Sequence, residues 1–177
     1  PRRAQARMGV LADARGLYAR LTARENIAYY GRLHGMDDEA VRRRTNHLAL
    51  LLDMVPLLER RTEGFSQGER MKTALARALV HDPPNIILDE PTNGLDVMST
   101  RALRAVLSRL RDEHGKCIVF STHIMQEVER LCDEVVILSG GRTAARGTVD
   151  QLLVQTGHEN LESGFVAMVD GLREDPP

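Results

Sequence analysis

The pattern of apolar and polar positions changes character at about residue 85. From Leu21 to about Val80, apolar residues recur at helical spacing, which predicts a succession of helices. From residue 85 onward, short aliphatic runs alternate with amphipathic segments, and this alternation predicts a parallel sheet wrapped by helices. An apolar run at residues 8–11 predicts one more strand ahead of the helical segment. The pattern as a whole therefore indicates the α/β class.

Local signals predict several element boundaries. Thr22 and Glu25 have the spacing of a capping box, which opens a helix through about Leu33, and Asp37 or Asp38 can cap the next helix. Further along the chain, the sequence predicts a hairpin at Gly140-Gly141, a second capping box at Thr148 and Gln151, and a helix from about Thr100 to Glu113 that buries Leu103, Val106, Leu107 and Leu110.

The run Ile86-Ile87-Leu88 leads directly into two carboxylates, Asp89 and Glu90, before Pro91 ends it. A short unbroken apolar run predicts a strand buried on both faces. The carboxylates then lie at the carboxyl end of a central parallel strand, where open α/β sheets bind their ligands. Two carboxylates there cost free energy unless a cation or a catalytic task explains them. The alternative is a strand that ends in a solvated acidic turn.

Two further positions can carry chemistry. Ser66 and Gly68 stand where a polar turn feeds a helix, and free backbone N–H groups at a helix start favour an anion. The plainer alternative is a capping serine followed by a turn glycine. His123 follows the strand at about 116–120 and can hydrogen-bond a phosphate or a water molecule, although a single histidine there is more often a surface or capping residue.

Composition narrows the functional classes. The net charge of −1 gives no sign of a polyanion-binding surface, and 3% aromatic residues without tryptophan argue against stacking on single-stranded nucleic acid. We therefore expect no nucleic-acid partner. Cys117 and Cys132 match no metal or redox spacing. No apolar run has membrane-spanning length, so work at a membrane would need a partner.

Taken together, residues from about 8 to 150 resemble the nucleotide-binding subunit of ABC transporters. The motifs that carry this resemblance are the signature-like Phe65-Ser66-Gln67-Gly68-Glu69, the Walker B-like Ile86-Ile87-Leu88-Asp89-Glu90, the D-loop-like Asn93-Gly94-Leu95-Asp96 and the histidine-switch-like Ser121-Thr122-His123. The tail from Thr156 to Val169 is similar to that of sodium-efflux and ABC-2-type exporters. The order and spacing of the motifs match throughout.

The resemblance implies a P-loop NTPase (RecA-like) parallel-sheet core, truncated at its N-terminus, with an inserted helical subdomain. Four parts are expected: a remnant of the core sheet and Q-loop at 1–13, a helical subdomain at 14–82, an α/β core at 83–150 and a C-terminal helical extension at 151–177.

The resemblance also implies roles for single residues, with ATP and Mg²⁺ as cofactors. Glu90 and His123 are the expected catalytic residues, and Asp89 is expected to hold Mg²⁺ through water. The signature-like residues Ser66, Gln67, Gly68 and Glu69 would act on the ATP of a second subunit, towards which Asp96 would also turn.

The sequence departs from the family pattern at two places. Asp13 stands where the family has its Q-loop glutamine, and as a hard oxygen donor it could still ligate Mg²⁺. The 177 residues contain no Gly-x-x-x-x-Gly-Lys-Ser/Thr phosphate loop. The pair Gly115-Lys116 is not part of one, because Cys117 follows it and the earlier glycine of the motif is missing. We therefore expect this chain alone to bind ATP weakly or not at all.

The expected partners are a second ABC ATPase subunit and a membrane permease, which place the protein at the cytoplasmic face of the cell membrane. The segment from about Arg15 to Gly35, with Tyr29 and Tyr30, would face the permease, although ordinary core packing explains the tyrosines equally well. The alternatives are a non-catalytic, degenerate ABC module with a regulatory role, a soluble ABC ATPase of DNA repair or translation, and an incomplete gene model.

Overall fold

A computed structural model describes residues 2–12 and 16–174 of the chain. It consists of two compact units, which divide between Ser121 and Thr122. The elements of the first unit are α1 (Arg2–Gln5), β1 (Met8–Leu11), α2 (Ala23–Leu33), α3 (Asp38–Leu51), a short 3-10 helix (Val55–Leu57), α4 (Gln67–Leu79), β2 (Asn85–Leu88), α5 (Val97–Asp112) and β3 (Cys117–Phe120).

The three strands form a parallel sheet in the order β1-β2-β3, as the alternation of elements predicts. Their register aligns Leu11 with Leu88 and Leu88 with Phe120, so all three carboxyl ends lie at one edge. That edge carries the residues that follow β2 and β3, and it is therefore where this sheet can assemble a site.

The prediction that β2 is buried on both faces is wrong. Ile86 and Leu88 are buried, but Ile87 between them is 38% exposed, and its register partners Val10 and Val119 are 52% and 60% exposed. Successive side chains of a strand point to opposite faces, so one face of the sheet is packed and the other carries an exposed aliphatic row. Within the described residues of the first unit, no element buries this row.

The helical part of the first unit follows the local signals. Thr22 and Glu25 form the predicted capping box of α2, and Asp37 rather than Asp38 caps α3. Helix α5 begins at Val97, three residues earlier than predicted, because the Asp96 carboxylate accepts the Ser99 N–H and caps the helix there. The predicted buried positions of α5 are confirmed for Leu103, Leu107 and Leu110, whereas Val106 is only half-buried.

The second unit contains α6 (Met125–Leu131), β4 (Val135–Ser139), β5 (Arg142–Gly147), α7 (Val149–Thr156) and α8 (Leu161–Glu174). Strands β4 and β5 form the predicted antiparallel hairpin, and Thr148 and Gln151 form the predicted capping box of α7. Helix α8 buries Leu161 in the core of this unit, beside Leu152, Ile137 and Val128.

The four-part division predicted from sequence stays a prediction. No helix within the described ranges is both long and apolar enough to cross a membrane.

Candidate functional site

Asp89 and Glu90 lie where the sequence places them, at the carboxyl edge of the parallel sheet. Asp89 N–H donates to the Leu11 carbonyl at 2.9 Å and Ser121 N–H donates to the Leu88 carbonyl at 3.0 Å, so the ladder continues one residue beyond the strands. The residue after β3 is thereby brought beside the two carboxylates that follow β2.

Ser121 connects both carboxylate residues. Its hydroxyl donates a hydrogen bond to Asp89 Oδ1 at 2.6 Å and accepts one from the Glu90 backbone N–H at 2.9 Å. The backbone of Glu90 is left-handed, with φ of +42°, a conformation that costs a non-glycine residue about 1 kcal/mol or more. The hydroxyl of Ser121 thus helps to hold a strained residue close to the end of β2.

The donor set at this edge fits Mg²⁺ in its usual nucleotide-bound form. Among the described residues there is no cluster of three or more His, Cys, Asp or Glu side chains that could hold a metal ion by itself. Mg²⁺ in such sites is bound through one or two carboxylates, with water and substrate phosphates supplying the rest of its octahedron. Asp89 is exposed to solvent and offers one such carboxylate, with the Ser121 hydroxyl against it.

The signature-like segment begins helix α4 with a complete capping box. Ser66 Oγ accepts the Glu69 N–H at 3.2 Å, and Glu69 Oε2 accepts the Ser66 N–H at 2.8 Å. The bond from the Ser66 backbone, together with the guanidinium of Arg60 at 2.8 Å, holds the pKa of Glu69 below its ordinary value. Glu69 is therefore an ionised cap of its own helix.

The signature-like and D-loop-like segments contact each other within this one chain. Gln67 Nε2 donates to the Asn93 carbonyl at 2.9 Å, and a Cβ on Gly94, whose φ is +73°, would lie 2.6 Å from that Gln67 amide nitrogen. A Cβ on Gly68 would lie 2.6 Å from Ser99 Oγ, so glycine is needed for this close approach.

Asp96 completes this contact. Its carboxylate accepts the Ser99 N–H at 2.8 Å and the Ser99 hydroxyl at 2.7 Å, and these bonds lower its pKa. Ser99 therefore hydrogen-bonds Asp96 of the D-loop-like segment and lies where a side chain on Gly68 of the signature-like segment would meet it.

The parts that His123 and Asp13 would take in the site stay predictions. His123 lies in the second unit, two residues after Ser121, and is exposed. Its place beside Glu90 stays a prediction. Asp13 lies outside the described residues, so its part in binding Mg²⁺ also stays a prediction.

Sequence reasoning did not single out Ser121 or Ser99 as site residues. Ser121 could have been found by pairing the residues that follow neighbouring parallel strands, since their carboxyl ends meet at one edge. Ser99 stands three residues after Asp96, which is the spacing of a helix cap, but its contact with Gly68 depends on tertiary packing that no local pattern reveals.

Comparison with known proteins identifies a family for this chain. The family model described as ABC transporter matches residues 1–93. The ABC transporter ATP-binding protein NatA of Bacillus subtilis strain 168 is 41% identical over 168 residues, which are 94% of this chain and 68% of that protein. The Nod factor export ATP-binding protein I of Rhizobium etli is 36% identical over 157 residues, 85% of this chain and 49% of that protein.

The fold is also that of a solved structure. A structure of the ATP-binding subunit of an ABC transporter superposes with a TM-score of 0.78 and 29% identity, over 92% of this chain and 68% of that one. The chain therefore belongs to the ABC transporter family. Within the family it is one of the ATP-binding proteins, with the α/β fold of the ATP-binding cassette.

Proposed function

We propose that the chain is the ATP-hydrolysing subunit of an ABC exporter, driving transport through a membrane permease. The main support for this proposal is the Asp89–Glu90 pair at the carboxyl edge of the sheet, where both residues hydrogen-bond to the Ser121 hydroxyl. Hydrolysis needs a carboxylate that accepts a proton from water and another that helps to hold the metal. These two neighbours supply both at one edge.

In the proposed reaction, water attacks the γ-phosphate in line, a new P–O bond forms, and the bond to ADP breaks. Glu90 would orient the water and accept its proton, Asp89 would help to hold Mg²⁺, and His123 would hydrogen-bond the γ-phosphate. Bound Mg²⁺ would spread the charge that develops on the phosphate oxygens. Ser66, Gln67 and Gly68 would contact the ATP of a second subunit through the N-terminus of α4.

An aromatic surface of the first unit supports the proposed permease contact. Its three tyrosines meet edge to face, with ring centroids 5.4 Å apart for Tyr18 and Tyr29 and 5.8 Å apart for Tyr29 and Tyr30. The Arg77 guanidinium lies 4.5 Å from the Tyr30 ring, and its Nη1 donates to the Gly16 carbonyl. Tyr18 and Tyr29 are exposed, as residues at a contact with a partner would be. Through that partner the subunit would lie at the cytoplasmic face of the membrane.

The experiment compares two proteins by calorimetric titration with Mg-ATP and by phosphate release. One is the 177-residue chain, which lacks a phosphate loop and should show no low-micromolar affinity. The other, the extended chain, carries the strand, phosphate loop and helix of an ABC ATPase ahead of Pro1 and should bind and hydrolyse ATP.

Glu90→Gln in the extended chain should keep ATP affinity and lower turnover by about a hundredfold or more. Equal turnover in this variant and its parent would remove Glu90 from the reaction. Low-micromolar affinity of the 177-residue chain would contradict the expected need for a phosphate loop.

A further inference from the structure

The loop that carries His123 is held by two hydrogen bonds in series. The Ile124 backbone N–H donates to Thr122 Oγ1 at 3.1 Å, and the Thr122 hydroxyl donates to Glu127 Oε2 at 3.1 Å. Thr122 and Ile124 are the two neighbours of His123, so the series fixes the backbone on both sides of the imidazole. All four residues belong to the second unit.

This arrangement is a variant of the capping box, which occurs at three other helices among the described residues. In α2, α4 and α7, the side chain at the third helical position accepts the N–H of the capping residue directly; these acceptors are Glu25 at 2.7 Å, Glu69 at 2.8 Å and Gln151 at 2.9 Å. In α6 the capping residue is Ile124, which makes no side-chain cap bond. The Thr122 hydroxyl lies between the Ile124 N–H and the Glu127 carboxylate and bonds to both. His123 lies between Thr122 and Ile124 in the sequence.

The carboxylate at the end of the series is fully buried. Glu127 has 0% exposure, whereas its neighbours on α6, Gln126 and Glu129, are exposed. A buried carboxylate costs free energy unless hydrogen bonds compensate for its lost hydration. The adjacent Val128 already supplies an apolar side chain to the core of this unit, so packing alone does not require a carboxylate at position 127.

We propose that Glu127 is a positioning residue for His123, fixing the loop that carries the imidazole by way of the Thr122 hydroxyl. The proposal rests on the proposed function for the importance of His123 in hydrolysis. Glu127 itself would not touch the nucleotide. Its part is to keep the imidazole in one place, because a catalytic group displaced by about 1 Å can lose about a hundredfold in rate.

The first test measures the loop in the 177-residue chain by backbone ¹⁵N relaxation. Thr122→Val keeps the shape of the side chain and removes the hydroxyl, and Thr122→Ser is the matched control that retains it. The order parameter of the His123 amide should be about 0.85 in wild type and Thr122→Ser and should fall below about 0.6 in Thr122→Val. An unchanged order parameter in Thr122→Val overturns the proposal.

Glu127 is tested in the same way with two variants. Glu127→Gln keeps an oxygen that accepts the Thr122 hydroxyl and should retain the ordered loop. Glu127→Ala should lower the order parameter of the His123 amide. The amide chemical shifts of β4 and β5 should stay those of wild type, which shows that the unit is still folded. A mobile loop in Glu127→Gln and Glu127→Ala alike, with the hairpin intact, would contradict a hydrogen-bonding role.

The second test uses phosphate release by the extended chain. Thr122→Val should lower kcat about tenfold or more with KM for ATP unchanged, whereas Thr122→Ser should keep the kcat of the parent. In the His123→Ala background, Thr122→Val should cause no further change in kcat. A further loss from Thr122→Val in the His123→Ala background overturns the proposal. Unchanged kcat in His123→Ala alone refutes the proposed role of His123 in hydrolysis, while the order parameters still decide whether Glu127 holds the loop.

Discussion

Ser121 shows how one hydroxyl can organise two carboxylate residues that carry the proposed chemistry. It donates to Asp89 and accepts from the backbone of Glu90, whose φ is +42°. The parallel register of β2 and β3 brings it there without any local sequence signal. The arrangement couples the position of the Asp89 carboxylate to the backbone of Glu90.

We expect Ser121→Ala to lower the free energy of unfolding by about 1 kcal/mol, because two hydrogen bonds to a partly solvated edge are lost. Urea unfolding of the 177-residue chain followed by circular dichroism measures this change. Ser163→Ala, at an exposed serine of α8, is the control and should stay within about 0.5 kcal/mol of wild type. Equal stability of Ser121→Ala and its control would contradict the role of the hydroxyl.

At the scale of elements, the first turn of α4 and the start of α5 form one packed unit through Gly68, Ser99 and Asp96. We expect Gly68→Ala to cost about 1–3 kcal/mol of unfolding free energy, since its Cβ would lie 2.6 Å from Ser99 Oγ. In the Ser99→Ala background that cost should shrink, because the oxygen is gone. A double-mutant cycle in urea measures the coupling. Additive effects of the two substitutions would show that the contact carries no energy.

His81, which lies just after the end of α4, should make the stability of the chain depend on pH. The His81 ring stacks on the His34 ring at 3.6 Å, and its Nε2 lies 3.2 Å from the Met8 carbonyl. Its Nδ1 is buried, and no hydrogen-bond partner for it occurs in the described part of the chain. Burial first, and then the charge of His34, lower the pKa of His81 from 6.5. Protonation would place a buried N–H at Nδ1.

Because the pKa of His81 is lower in the folded chain than in the unfolded chain, the unfolded chain binds more protons as pH falls below about 6.5. Stability should therefore be complete above that pH and decrease below it, by at most about 1.4 kcal/mol per pH unit for this group. His81→Phe keeps a ring on His34 and should flatten the slope of unfolding free energy between pH 7.5 and 5.5.

His47 provides a comparison, since burial and Arg44 also lower its pKa. His47→Gln should also reduce the slope of unfolding free energy against pH. The variant with both His81→Phe and His47→Gln should have a smaller slope than either single variant. A wild-type slope in His81→Phe would contradict the assignment.

At the scale of the whole molecule, the sequence predicts local features such as helix caps. It does not predict features that depend on how strands pair and pack, such as the exposed face of β2. The capping boxes at Thr22 and Thr148 follow from spacing alone and are confirmed. The run at 86–88 is a strand, as predicted, but an aliphatic run does not show which face is covered, and Ile87 is exposed. The contact of Ser121 with Asp89 arises from the pairing of two strands, which no single segment encodes.

The exposed row on the sheet gives a prediction for the chain as a whole. Val10, Ile87 and Val119 are aligned by the strand register, and an aliphatic stripe of this kind should bind an apolar dye and favour self-association. Replacing all three with Thr keeps the β-branch that suits a strand and removes much of the apolar surface. The triple variant should lose most of the fluorescence of bound anilinonaphthalene sulfonate while its circular dichroism stays that of wild type.

A matched control separates this row from scattered apolar residues. Three that are exposed on separate helices are replaced with Thr: Leu33, Leu50 and Val97. Isolated side chains do not form a continuous surface, so this variant should keep the wild-type fluorescence. Equal fluorescence of the sheet variant and the wild type would mean that the row is covered in solution. A loss of the same size in both variants would mean that the dye reports general surface hydrophobicity rather than the face of this sheet.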